Sequence, residues 1–290
     1  MSIDLFAGQT VLPQWLWTGA LALGTTALAW RIGFFWRGTP AHSSPRLRAA
    51  SPAALWAVAL CGYLTAQLAP AVYLSLAHRQ AATLPGATEP NIDLGGAETS
   101  ALHLAYAAVG LTTLLICDRF VLTGGAGALG LSAAGLGSAA RAAVAAALFA
   151  IPWTYFVTVL SQLTMNRWGG DVSAHELVRV MAENQTAPVR WLVLISAVIF
   201  APLFEELLFR GHLQTSVRIA LGTPWAAIAI TSGLFALVHQ SWWMMPPLFV
   251  LSACLGVLYE RTGSLWAPIF MHAIFNGLVV AAQWSGLAGH

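Results

Sequence analysis

The stretch WLVLISAVIFAPLFEELLFRGH, residues 191–212, decides how this chain is read. It is a long apolar run interrupted near its end by two adjacent acids, Glu205 and Glu206. A helix from about Pro188 to Arg210 would be roughly 34 Å long at 1.5 Å per residue, enough to cross a bilayer. A charged side chain deep in a bilayer costs ~3 kcal/mol, and such residues mark function more often than not. Pro202, just ahead of the pair, has no N–H to donate, which predicts a kink and room beside the acids.

Working outward, the rest of the chain has the same character. Hydrophobic residues make up 58% of it, charged residues 8%, and mean hydropathy is +0.72. A soluble domain is about one quarter charged, so these few charges cannot coat a soluble globule. The fold class expected is all-α, a polytopic transmembrane bundle of about eight spans. They fall near 11–30, 52–76, 100–117, 139–163, 188–209, 224–240, 247–260 and 265–285. The Gly- and Ala-rich segment 121–138 reads as a flexible linker or weak interfacial helix. It divides about three N-terminal spans, within 1–136, from a C-terminal transmembrane core over 137–290. The polar stretch 168–187 reads as an extramembrane helix or loop that Asp171 or Ser173 could cap.

Net charge is +2, and every basic residue is Arg. That excess is too small for a nucleic-acid partner, and the lipid bilayer takes that place. Loop 31–50 carries Arg31, Arg37, Arg46 and Arg48 and no acid, so the positive-inside rule puts it in the cytoplasm. Loop 77–99 carries Glu89, Asp93 and Glu98 against Arg79, which suits the outer face. The N-terminal MSIDLFAG has no basic n-region, so no cleaved signal peptide is expected. Cys61, Cys117 and Cys254 sit singly in apolar runs and read as buried thiols, with neither a disulfide framework nor a zinc knuckle.

Most of the eleven acids fall in loops or at span ends, and Glu205 and Glu206 stand apart. Spacing then separates the two. Glu206 and Arg210 are four apart with the acid first, the favoured order for a helical ion pair. Glu205 points ~100° away and is left free for chemistry. The competing reading places both acids at the water interface, merely solvated.

Two further pairs share the four-residue spacing. Phe235 and His239 lie on one face of a helix, and so do His272 and Asn276. The Phe235 ring can pack on the imidazole and fix it. The Asn276 amide needs partners in an apolar span, where it can serve as helix–helix glue or as a donor. Singly these are packing residues. Together, Glu205, His239, His272 and Asn276 come from three helices, and one shared polar cavity accounts for all four. His103, alone in the third span, reads as packing. Trp242 to Pro247 reads as an interfacial aromatic belt, with a gate or apolar substrate groove as the other reading.

The set holds a carboxylate, two imidazoles and an amide. There is no GxSxG, and Ser232 and Ser241 lack an i±4 relation to His239, so water is the expected nucleophile. A carboxylate desolvated inside a bundle is a stronger base than one in water. Glu205 would take the proton, His239 would orient the water, and His272 with Asn276 would hydrogen-bond the oxyanion. The alternative is a zinc site of Glu205, His239 and His272, although HExxH is absent and Asn276 is a poor zinc ligand. No cofactor is expected under the first reading.

Glu205-Glu206-x-x-x-Arg210, Phe235-x-x-x-His239 and His272-x-x-x-Asn276, in this order, resemble the CPBP family of CAAX-processing and bacteriocin-processing proteases, also called the Abi family. The motifs span 205–276, and the resemblance covers about 139–285. It implies an intramembrane endopeptidase acting on membrane-associated protein or peptide substrates. It implies water activation by Glu205 and His239, an oxyanion hole of His272 and Asn276, and support from Glu206, Arg210 and Phe235. The family has been described both as metalloproteases and as metal-independent glutamate proteases. The Arg-only, Ala- and Gly-rich composition points to a bacterial source and its inner membrane. A non-catalytic scaffold or bacteriocin-immunity protein, and a proton-coupled transporter, are the competing classes; the transporter lacks internal repeats.

Overall fold

Proline starts three of the four helices in the C-terminal half of this chain, and glycine stops two of them. The computed structural model describes residues 11–31, 48, 50–82, 95–170 and 186–285. Among them eight helices follow one another. They are α1 (Val11–Arg31), α2 (Pro52–Ala82), α3 (Gly96–Val121), α4 (Leu136–Arg167), α5 (Ala187–Leu221), α6 (Pro224–Val238), α7 (Met245–Thr262) and α8 (Trp266–Trp284). Prolines occupy the first turns of α5, α6 and α7, where a missing N–H costs nothing. Left-handed Gly222 and Gly263 stop α5 and α7.

The eight helices coincide with the eight expected spans, and no strand occurs among the described residues. Helices α2, α3, α4, α5 and α8 are long and apolar enough to cross a membrane. Helix α6 is apolar but only 15 residues long, about 22 Å against a ~30 Å hydrocarbon core. The outside of the bundle is greasy: Phe120 is 83% exposed and Trp17 77%. The chain is an integral membrane protein.

Lipid tails give helices little hydrophobic reason to associate, so close packing has to do it. Gly110 of α3 lies against Phe204 of α5, and a Cβ there would come within 2.4 Å of that ring. The small face Ala143, Ala146, Ala147 and Ala150 of α4 receives Leu251 and Leu255 of α7 and Met271 of α8. Helices α2 and α3 pack on each other and also on α5, so the N-terminal spans abut the helix that carries the two glutamates.

Two expectations are corrected. The segment 121–138 is no flexible linker. It forms a 3-10 turn, Gly125–Leu129, whose Leu129 is fully buried in the core. The Leu129 carbonyl accepts from the Tyr259 hydroxyl at 2.6 Å, and the Gly130 carbonyl from the Leu265 N–H at 3.0 Å. Gly130 has φ +96, and a Cβ would strike the Gly263 carbonyl oxygen, so both conformation and space demand glycine.

The thiols are not all buried, since Cys61 is exposed on the apolar flank. Asp118 and Glu260 are buried and paired, as described below. Arg31 is described in its backbone only. Arg37, Arg46, Glu89, Asp93 and most of the polar stretch 168–187, with Asp171 and Ser173, lie outside the described residues, as does MSIDLFAG.

Candidate active site

Helix α5 is irregular where it carries the acids. Two π-turns, Ser196–Phe200 and Leu207–Gln214, flank the short α-helical piece Ala201–Glu206. The cause of the first lies in Pro202. The Ala201 N–H reaches back five residues to the Ser196 carbonyl, and Pro202 has no N–H to follow it. The Ala197 carbonyl is therefore left without a helical donor, and the Asn276 side-chain amide of α8 supplies one at 2.7 Å. The expected kink is thus a π-turn clamped from a neighbouring helix.

Glu206 is fully buried, and its Oε1 takes two hydrogen bonds. Arg210 Nη1 donates at 2.9 Å, closing the i,i+4 pair, and His272 Nδ1 donates at 2.8 Å. The other Arg210 nitrogen donates to the Ser252 hydroxyl at 2.8 Å and its carbonyl at 3.0 Å, which ties α5 to α7. Because a carboxylate beside Arg210 can only accept, His272 carries a hydrogen on Nδ1, and its Nε2 is turned to the other side. That Nε2 lies 3.8 Å from Oε2 of Glu205, whose side chain is 20% exposed. The two adjacent glutamates thus flank one imidazole, the buried one orienting it and the open one facing its free nitrogen.

His239 ends α6 instead of lying within it, and Gln240 follows at φ +52. Its Nδ1 donates to the Phe235 carbonyl at 2.7 Å, again leaving Nε2 free. The Phe235 ring is the hub of the site. Its centroid is 4.7 Å from His239 and 6.0 Å from His272, and the Arg210 guanidinium lies over it at 5.1 Å. The stacking on His239 follows the spacing of that motif, whereas the contact with His272, 37 positions on, had no local signal.

Contacts thus link Glu205, Glu206 and Arg210 of α5 with His272 of α8 and, through the Phe235 ring, with His239 of α6, while Asn276, one turn beyond His272, is held at the Ala197 carbonyl. Among the described residues no three His, Cys, Asp or Glu side chains are grouped to hold a metal ion. The residues named for the alternative zinc site, Glu205, His239 and His272, are not grouped in that way: His272 reaches both glutamates, and no contact joins His239 to either of them among the described residues. An apolar cleft of about 420 Å³ lies apart, between α2 and α3, with Val58, Cys61, Cys117 and Phe120 on its walls. It has no carboxylate or imidazole in its lining and is not this site.

Sequence reasoning missed a second layer of buried polar groups on α5. His212 and Asp118 of α3 are both fully buried, 2.8 Å apart, and His212 Nδ1 donates to the Leu207 carbonyl of the second π-turn. Gln214 donates to Glu260 at 2.9 Å, and Arg218 lies 3.9 Å from the same carboxylate. His103, read as packing, donates to the Thr99 carbonyl one turn back. Trp242 is exposed as a belt residue would be, while the Trp243 carbonyl accepts from the Ser161 hydroxyl of α4.

The type II CAAX prenyl endopeptidase Rce1-like family matches residues 187–278, from the start of α5 to the middle of α8. That match carries the three motifs and agrees with the CPBP resemblance. The chain is 34% identical over 74 residues to "Uncharacterized protein YpbD" of Bacillus subtilis, covering 26% of this chain and 36% of that one. It is 29% identical over 92 residues to "Putative membrane peptidase YdiL" of the same organism, covering 32% and 37%. It is 35% identical over 93 residues to "Uncharacterized 24.3 kDa protein" of Escherichia coli, covering 31% and 43%. The chain thus spans well under half the length of these curated relatives. No solved structure matches it significantly.

Proposed function

We propose that this chain is a bacterial inner-membrane endopeptidase that hydrolyses peptide bonds of membrane-associated proteins or peptides with activated water and no metal. In this reading 137–290 is the catalytic core and 1–136 packs against it. The observation that carries the proposal is His272 set between two carboxylates, 2.8 Å from Glu206 and 3.8 Å from Glu205. A structural ion pair needs only one of them. The second, partly open carboxylate has no structural use and is available as a base. The family match over α5 to α8 supports the same reading.

Glu205 takes a proton from water as the water oxygen attacks the peptide carbonyl carbon. His239, held with its hydrogen on Nδ1, offers the Nε2 lone pair to the second hydrogen of that water and so aims it. Asn276 keeps one amide N–H on Ala197 and has another for the developing oxyanion. His272 joins it once its Nε2 has taken a proton from the Glu205 side. The proton then passes to the amide nitrogen as the C–N bond breaks, releasing an amine and a carboxylic acid that loses its remaining proton to water. Glu206, Arg210 and Phe235 hold the imidazoles and touch no substrate.

The test is Glu205→Gln, assayed on quenched-fluorescent peptides carrying a C-terminal lipid anchor, with the protein in liposomes. The variant is expected to insert and fold as wild type and to lose at least ~10²-fold in kcat. Cleavage at the wild-type rate would remove Glu205 as the base.

A further inference from the structure

The donor inventory of the site is one short. Both imidazoles spend their N–H on fixed acceptors, His239 on the Phe235 carbonyl and His272 on Glu206. Asn276 spends one of its two on Ala197. Before any proton has moved, only a single amide N–H is left for an oxyanion, and oxyanion holes present two or more donors.

A candidate for the missing donor stands on α3, outside the segment that matches the Rce1-like family. Tyr106 is half-buried and meets the ring of Phe204, the residue before Glu205, edge-on at 5.4 Å between centroids. Helix α3 packs along both the Ser196–Phe200 turn and the Ala201–Glu206 piece, and so borders the Asn276 clamp and Glu205 together. Gly110, one turn after Tyr106, lets Phe204 seat deeply enough to bring the helices this close. No hydrogen bond engages the Tyr106 hydroxyl among the described residues.

We propose that Tyr106 is a further catalytic residue, whose hydroxyl donates a hydrogen bond to the reacting carbonyl oxygen beside Asn276. The inference rests on the peptidase reading. It also gives the N-terminal spans a part in the chemistry, since the site is then incomplete without α3.

The experiment compares wild type, Tyr106→Phe and Glu205→Gln on the same lipid-anchored peptides, with thermal unfolding in detergent measured for each. Tyr106→Phe keeps the ring against Phe204 and removes only the hydroxyl. It is expected to lower kcat ~10–10²-fold, with KM changed less than about threefold and unfolding unchanged. Its affinity for a peptide phosphinate, which imitates the tetrahedral oxyanion, is expected to fall by the same factor as kcat/KM. If Tyr106→Phe keeps wild-type kcat while Glu205→Gln is inactive, the inference is overturned and the peptidase reading stands. If wild type cleaves none of the peptides, or Glu205→Gln cleaves as well as wild type, both fall. A Tyr106→Phe loss confined to KM, with phosphinate affinity unchanged, makes Tyr106 a substrate-binding contact and overturns the donor role.

Discussion

His272 Nδ1 and Arg210 Nη1 both donate to the same oxygen, Oε1 of Glu206, at 2.8 and 2.9 Å. One buried carboxylate therefore neutralises a cation on its own helix and fixes the tautomer of an imidazole from another. The spacing of Glu206 and Arg210 implied only the first role. With both, Glu206→Gln is expected to lose stability and chemistry together. It strands the Arg210 charge, which costs on the order of 3 kcal/mol, and it weakens the hold on His272. The double variant Glu206→Gln/Arg210→Met removes the stranded charge and should recover most of the unfolding temperature without recovering kcat. Recovery of both would reduce Glu206 to an ion-pair partner.

The Asn276 clamp exists because Pro202 cannot donate to a carbonyl behind it. Asn276→Ala is expected to leave the Ala197 carbonyl unpaired, at a cost of about 1–3 kcal/mol, and to lower kcat. Pro202→Ala restores an N–H that can reach back along α5 and compete for that carbonyl. In the Pro202→Ala background, Asn276→Ala should therefore cost less stability than it does alone. Unfolding temperatures of the four proteins give the coupling, and strict additivity would mean that the two residues act separately.

These relations mark where the sequence can and cannot be read. Eight apolar runs yield eight helices because bilayer thickness sets a length that hydropathy alone reveals. The three i,i+4 pairs were legible for a similar reason, since helical periodicity is local. The His272–Glu206 bond spans 66 positions and Asp118–His212 spans 94, and no periodicity connects them. Asp118 and Glu260 each end an apolar run, and nothing local shows that α5 brings His212, Gln214 and Arg218 to meet them. Glycine content made 121–138 look slack, whereas Gly130 serves a turn that seats Leu129 in the core.

Metal dependence turns on the donors. His272 bonds Glu206 and faces Glu205, and Glu205, His239 and His272 are not grouped to hold a metal ion among the described residues, so zinc would need side chains to move to gain three protein ligands. Protein stripped with a chelator and exchanged into metal-free buffer is expected to keep its activity within about twofold, and added zinc should not raise it. Loss of cleavage on stripping, with return on stoichiometric zinc, would replace the glutamate mechanism with a metal one.

Asp118 and His212 make the last prediction, because they join the N-terminal spans to the helix of the site. His212 gives its Nδ1 hydrogen to the Leu207 carbonyl, so the 2.8 Å contact at Nε2 needs one further hydrogen, carried by either partner. Asparagine at 118 can turn its amide to donate to Nε2, whereas alanine leaves a buried nitrogen with nothing to meet. Asp118→Ala is therefore expected to lower the unfolding temperature by roughly 3–6 °C, and Asp118→Asn by clearly less. Because α3 also carries Tyr106, Asp118→Ala should reduce kcat even though it touches no substrate. Equal unfolding temperatures for the two variants would show that the contact holds nothing in place, and α3 would then be kept against α5 by the seating of Phe204 at Gly110 alone.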